Sequence, residues 1–173
     1  MSDNEDSFSP IEARLRRRRQ RLGKLPYERV MLLRVLTHLH KRMQETLQDV
    51  LAANGLTLAT YEVAMVLYDA PDESMIVSDL SLASGEKPAN LTRICDALVA
   101  AGWVERQPDA QDRRAVRVRL SAAGHAHIEA AQPAVWAMID ELFGPLDTQE
   151  AIAMQSHARR LIARSDLLRG KRK

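Results

Sequence analysis

Residues 103–120, WVERQPDAQDRRAVRVRL, decide how this chain folds. An extended segment, WVERQ, meets a polar turn, PDAQD, and the chain returns as VRVRL in period two. That alternation sends Val116, Val118 and Leu120 to one face of a strand and Arg117 and Arg119 to the other. The two runs therefore read as a β-hairpin anchored on a core by its valines. The outward arginines are candidates for phosphate contacts, and Arg113 and Arg114 at the turn are long enough to reach into a minor groove. Asp112 beside them either forms the turn or orients a neighbouring guanidinium through a charge-assisted hydrogen bond.

Immediately before the hairpin, Pro88 can occupy the first turn of a helix that runs to Ala101 and ends at Gly102. Leu91, Ile94, Cys95 and Leu98 fall on one face of it, which leaves Lys87, Ala89, Asn90, Thr92, Arg93 and Ala97 on a slim polar surface. Such a surface suits entry into a major groove about 12 Å wide, where amides, hydroxyls and guanidinium groups meet base edges and phosphates. Ser78 is expected to cap a shorter helix, DLSLAS, closed by Gly85. Two helices joined by a tight Gly-containing turn and followed by a hairpin make a winged helix-turn-helix. Cys95 faces the core in this reading, as a small buried thiol.

Further out, Thr57 is placed to cap a helix through about Asp69, and Met75 to Val77 form a brief extended run. Residues 27–53 carry Leu32, Leu36, Leu39, Met43, Leu47, Val50 and Leu51 on one helical stripe. That helix spans roughly 40 Å at 1.5 Å per residue, too long for a small lobe to cover, so a second subunit is expected against it. Ahead of it, SPIEARLRRRRQRL (9–22) reads as a basic helix with Ser9 as N-cap and Glu12 completing a capping box. Ser121 caps a long helix to about Phe143, bent rather than ended by Pro133. Asp147 and Glu150 open a last helix to about Leu168.

The 173 residues carry a formal charge of only +2. Arginines nonetheless gather at 14–21 and 106–119, the uneven pattern that an anionic partner selects. A single cysteine rules out an internal disulfide framework, and no run approaches the roughly 20 apolar residues of a membrane span. A cytoplasmic protein without a membrane partner is expected. No catalytic group, cofactor or metal is expected either. His38 and His40, like His125 and His127, stand about 200° apart around a helix and cannot converge on one ion. No glycine-rich phosphate loop or Cys-x-x-Cys is present.

The stretch LTRICDALVAAGWVERQPDAQDRRAVRVRLSAAG (91–124) resembles the recognition helix and wing of MarR-family transcriptional regulators, whose wing carries a D-x-R element matched by Asp112 and Arg114. FSPIEARL and PYERVMLLRVLTHLHKRM resemble in particular the EmrR (MprA) branch of multidrug-efflux repressors. The resemblance covers nearly the whole chain. It implies a mainly α fold with a small β-hairpin, built as a homodimer with interlocked terminal helices. Residues 9–55 and 122–168 would form the dimerisation region, and 57–121 the DNA-binding lobe over a pseudo-palindromic operator.

Carried onto this sequence, the DNA-binding set is Lys87, Asn90, Thr92, Arg93, Asp112, Arg113, Arg114 and Arg117. The helix opens with KPAN, where many relatives have serine or threonine. The run RLRRRRQRLGK (14–24) is more basic than the branch implies, and reads either as an extra phosphate-contacting arm or as a solvated helix. The resemblance further implies release from DNA by a small aromatic or phenolic effector. Arg34, His38, Tyr61, Met65 and Trp136 are the candidate contacts, Arg34 and His38 sharing one helix face. Repression of an efflux operon, repression of an aromatic-acid catabolic operon, and a helical dimeric scaffold without DNA binding are the competing roles.

Overall fold

A computed structural model describes residues 6–109 and 115–170. The element order is α1 (Ser9–Leu22), α2 (Tyr27–Ala52), α3 (Leu58–Tyr68), a single 3-10 turn (Pro71–Glu73), β1 (Ser74–Ile76), α4 (Val77–Ser84), α5 (Pro88–Ala100), β2 (Val104–Pro108), β3 (Val116–Leu120), α6 (Ala122–Phe143) and α7 (Thr148–Gly170). The fold is mainly helical, with one antiparallel sheet ordered β1-β3-β2. Two compact units divide it, Met1–Ile128 and Glu129–Lys173.

Within the first unit, β3 is the central strand: Val118 lies opposite both Met75 of β1 and Arg106 of β2. The hairpin thus gains a third strand from the brief extended run before α4. Val118 and Leu120 are buried as the alternation requires, against a core that includes Val63, Leu67, Leu80, Leu91 and Leu98. Val116 departs from the expectation. It is 43% exposed, because it pairs with Pro108 at the far end of the hairpin, where the strands have run past the core.

Helix ends follow local chemistry with two corrections. Thr57 and Thr60 form a reciprocal capping box at α3, Ser121 Oγ accepts the Gly124 N–H at 3.0 Å, and Asp147 and Glu150 close a second box at α7. Ser9, however, lies inside α1, with Phe8 at the cap. Asp6 takes over the capping role, its carboxylate accepting from the Phe8 and Ser9 N–H groups at 3.0 and 2.9 Å. The Ser9 hydroxyl and those bonds hold the Asp6 carboxyl below its usual pKa. Glu12 turns outward to Arg16 instead of back to the cap. Ser78 is likewise inside α4, which starts at Val77 directly out of β1 and has no side-chain cap.

Helix α2 buries only Leu51 fully, while Leu32 and Leu36 of its expected stripe, and Leu33 beside them, stay exposed. Helix α7 buries no residue, and Ile152, Leu161, Ile162, Leu167 and Leu168 are exposed along it. Helix α6 continues through Pro133. Among the described residues no helix is long and apolar enough to cross a membrane, and no group of acidic, His or Cys side chains could hold a metal ion.

Candidate nucleic-acid interface

Helix α5 buries Leu91, Ile94, Cys95 and Leu98 and leaves Lys87, Ala89, Thr92, Arg93 and Ala97 exposed, with Asn90 half-buried. The face expected to meet DNA is therefore the face that the core does not use. Its polar groups are locally tethered. Asn90 Nδ2 donates to Glu86 Oε2 at 2.7 Å, Arg93 Nη1 lies 3.5 Å from Asn90 Oδ1, and the Thr92 hydroxyl donates to the Pro88 carbonyl at 2.9 Å. Glu86 beside the N-terminus of α5 sits where the helix dipole favours negative charge.

Two ion pairs missed by the sequence reading fix this helix and the wing. Arg106 on β2 donates to Asp96 Oδ1 on α5 at 2.6 Å and lies 3.4 Å from the Thr92 carbonyl. It ties the second face of α5 to the hairpin. Arg117, expected to point outward to phosphate, donates from Nε to Asp109 Oδ2 at 2.9 Å and from Nη1 to Ser74 Oγ at 3.2 Å. Asp109 is buried, 7% exposed, and its N–H donates to the Ala115 carbonyl at 3.0 Å, closing the base of the wing loop. Asp109 thus orients the Arg117 guanidinium through a charge-assisted pair. Asp112, Arg113 and Arg114 lie outside the described residues. Arg119 lines a cleft with Glu73, Glu105 and His125.

The signals for these pairs were thin. Period two assigned Arg117 a side of the strand but no partner, and Ser74 stands 43 positions earlier in the chain.

Cys95 lines a cavity of about 570 Å³ behind α5, together with Val77, Ser78, Thr92, Arg106 and Val116. Burial pushes its thiol pKa up, with Arg106 pulling partly back. A thiol kept protonated is a poor nucleophile, so native protein should react with an aromatic disulfide reagent at least roughly tenfold more slowly than protein in urea. Equal rates would mean that the core around α5 opens freely.

The candidate effector residues lie on α2, α3 and α6. Arg34 and His38 line a cleft between α1 and α2 with Arg14, Arg18 and Lys41. Tyr61 and Met65 are half-buried on α3. Trp136, on the part of α6 in the second unit, is 59% exposed.

This arrangement has known counterparts. A family model described as MarR family matches residues 54–115. The transcriptional repressor MprA of Escherichia coli K12 is 30% identical over 162 residues, covering 94% of this chain and 92% of that protein. The chain belongs to the MarR family. It is a member of a class of DNA-binding transcriptional regulators, not of enzymes. The crystal structure of a mutant MarR from Escherichia coli complexed with operator DNA matches with a TM-score of 0.71 and 26% identity, over 80% of this chain and 98% of that one. A MarR-family regulator of Streptomyces coelicolor, AbsC, shares the fold at a TM-score of 0.72 and 24% identity, over 81% of this chain and 93% of that one.

Proposed function

We propose that this MarR-family chain is a homodimeric repressor of a multidrug-efflux operon that leaves its pseudo-palindromic operator when a small aromatic or phenolic compound binds. The observation that carries the reading is the polar face of α5, on which Lys87, Thr92 and Arg93 are exposed and Asn90 half-buried, braced to the wing through Arg106 and Asp96. Lys87, Asn90, Thr92 and Arg93 enter the major groove, while Arg113 and Arg114 at the wing, oriented by Asp112, meet the minor groove. Arg117 supports the wing and contributes positive charge beneath it. Residues 57–121 form the DNA-binding lobe.

Residues 9–55 and 122–168 supply the dimer contacts. The exposed leucines and isoleucines of α2 and α7 support this, since apolar side chains left uncovered in one chain gain from burial against a second. Two lobes would then meet half-sites about one helical turn, roughly 34 Å, apart. The relation to MprA, itself described as a transcriptional repressor, supports the sign of regulation.

Operator titration tests the reading. Arg114→Ala should weaken binding by about 1 to 3 kcal/mol while leaving thermal unfolding unchanged. Wild-type affinity in that variant would remove the wing from the interface.

A further inference from the structure

The arginine run of α1 divides by face. Ile11, Arg14, Leu15 and Arg18 form one i, i+3, i+4, i+7 stripe, with Leu15 buried. Opposite it α2 presents Arg34, His38 and Lys41, again about one turn apart, together with Thr37. The two stripes enclose a cleft of about 460 Å³ within the first unit, and no carboxylate lines it among the described residues. Other arginines of α1 have different engagements: Arg16 pairs with Glu12 at 2.7 Å, and the Arg19 guanidinium lies 4.7 Å from the centre of the Tyr27 ring. Of the lining cations, Lys41 has an exposed carboxylate nearby, Glu45 at 3.6 Å. Solvent screens a pair of that kind heavily. His38 is held in place by Ser7 Oγ, 2.7 Å from its Nε2, and by the Phe8 ring at 5.6 Å.

We propose that this cleft binds a small organic anion carrying two negative charges on one group or on neighbouring groups, of the phosphate-ester or dicarboxylate type, with an apolar body against Ile11 and Leu15. Three guanidinium groups match that chemistry, because each offers a planar fork for two oxygens. Gathering Arg14, Arg18, Arg34 and Lys41 around one cavity costs self-repulsion, which a dianion removes and a neutral ligand does not. The volume lies within the range of small-molecule sites. The inference builds on the ligand-responsive reading above, from which it takes only the consequence for DNA. It also gives Arg14 and Arg18 a role other than that of a DNA arm.

Calorimetric titration of the full-length protein at low ionic strength tests it, with phenyl phosphate, benzoate and benzyl alcohol as probes. Phenyl phosphate should bind one site per chain at least tenfold more tightly than benzoate, and benzyl alcohol should give no measurable heat. Arg14→Gln with Arg18→Gln should weaken phenyl phosphate at least tenfold, and Arg34→Gln should weaken it independently if the double variant unfolds. Arg17→Gln with Arg21→Gln should leave it unchanged. Equal weakening by both double variants would overturn the site in favour of diffuse charge attraction. Unaltered phenyl phosphate binding, with weaker operator binding and a smaller salt slope in Arg14→Gln/Arg18→Gln, would overturn it in favour of a DNA arm. Operator binding measured without any probe tests the regulatory reading separately, so either can fail while the other stands.

Discussion

Gly124→Ala should cost about 3 kcal/mol of folding stability, at the upper end of what overpacking a rigid site costs. A Cβ on Gly124 would overlap the Trp103 carbonyl oxygen and stand 2.8 Å from the carbonyl carbon, so the obstacle is backbone and not a movable side-chain tip. That carbonyl has little freedom to retreat. It accepts the Ser121 N–H at 3.0 Å, while the Ser121 hydroxyl donates to the Gly102 carbonyl at 2.7 Å. The Trp103 side chain is fixed as well, its ring stacked on His127 with centroids 4.0 Å apart. His127 Nε2 lies 2.9 Å from the Asn54 carbonyl oxygen, which can only accept, so the ring carries its proton there. The residue that begins the wing, the first turn of α6 and the end of α2 are therefore joined around Gly124. Urea unfolding should show a lower midpoint with an unchanged slope. Gly170→Ala, where nothing lies within 4 Å of the added methyl, is the control and should shift stability by less than about 0.5 kcal/mol. Equal midpoints for the two variants would show that the Trp103 turn yields easily.

That constraint explains where sequence reading succeeds and where it stops. The buried set Leu91, Ile94, Cys95 and Leu98 was legible because one helical period fixes a face whatever the face packs against. The cap at Thr57 and the box at Asp147 were legible because the groups they bond lie within three residues. Gly124, by contrast, sits in SAAG as one small residue among several. Its necessity comes from Trp103, far earlier in the chain, folding back over it. Val116 follows the same period as Val118, yet only a tertiary fact, the end of the core beneath the hairpin, distinguishes them. The split of α1 was within reach of the sequence. Ile11 and Leu15 name the inward stripe, and Arg14 and Arg18 share it, so the arginine run need not act as a single charged arm.

The braces of the candidate interface raise a related physical issue. A wing that meets DNA must hold its arginines in place before contact, or the ordering of long side chains subtracts from affinity. Arg106 with Asp96 is 36% and 56% exposed, so its worth is mainly geometric, setting the angle between α5 and β2. Arg117 with Asp109 differs, because the carboxylate is 8% exposed and the guanidinium reaches a second strand through Ser74.

Asp109→Ala should accordingly destabilise the protein by about 2 to 3 kcal/mol, less than the roughly 3 to 5 of a fully buried pair because Arg117 retains water contact. The substitution leaves the Arg117 Nε and Nη2 protons without the acceptor that both use, at 2.9 and 2.8 Å. The backbone bond from Asp109 to Ala115 survives in principle, so the hairpin should still form while the base of its loop loses the side-chain clamp. Operator affinity measured well below the melting temperature should fall by at least about tenfold, since the Arg117 side chain and the base of the wing would have to be ordered on binding. Asp109→Asn keeps an acceptor oxygen without the charge and should fall between wild type and Asp109→Ala in both measurements. A phosphate role for Arg117 makes a different forecast: Arg117→Ala would then weaken operator binding more than Asp109→Ala and reduce the salt slope by about one unit. Bracing requires the two variants to lose similar affinity, and their double variant to lose little more than either alone, because two residues acting through one bond are removed only once.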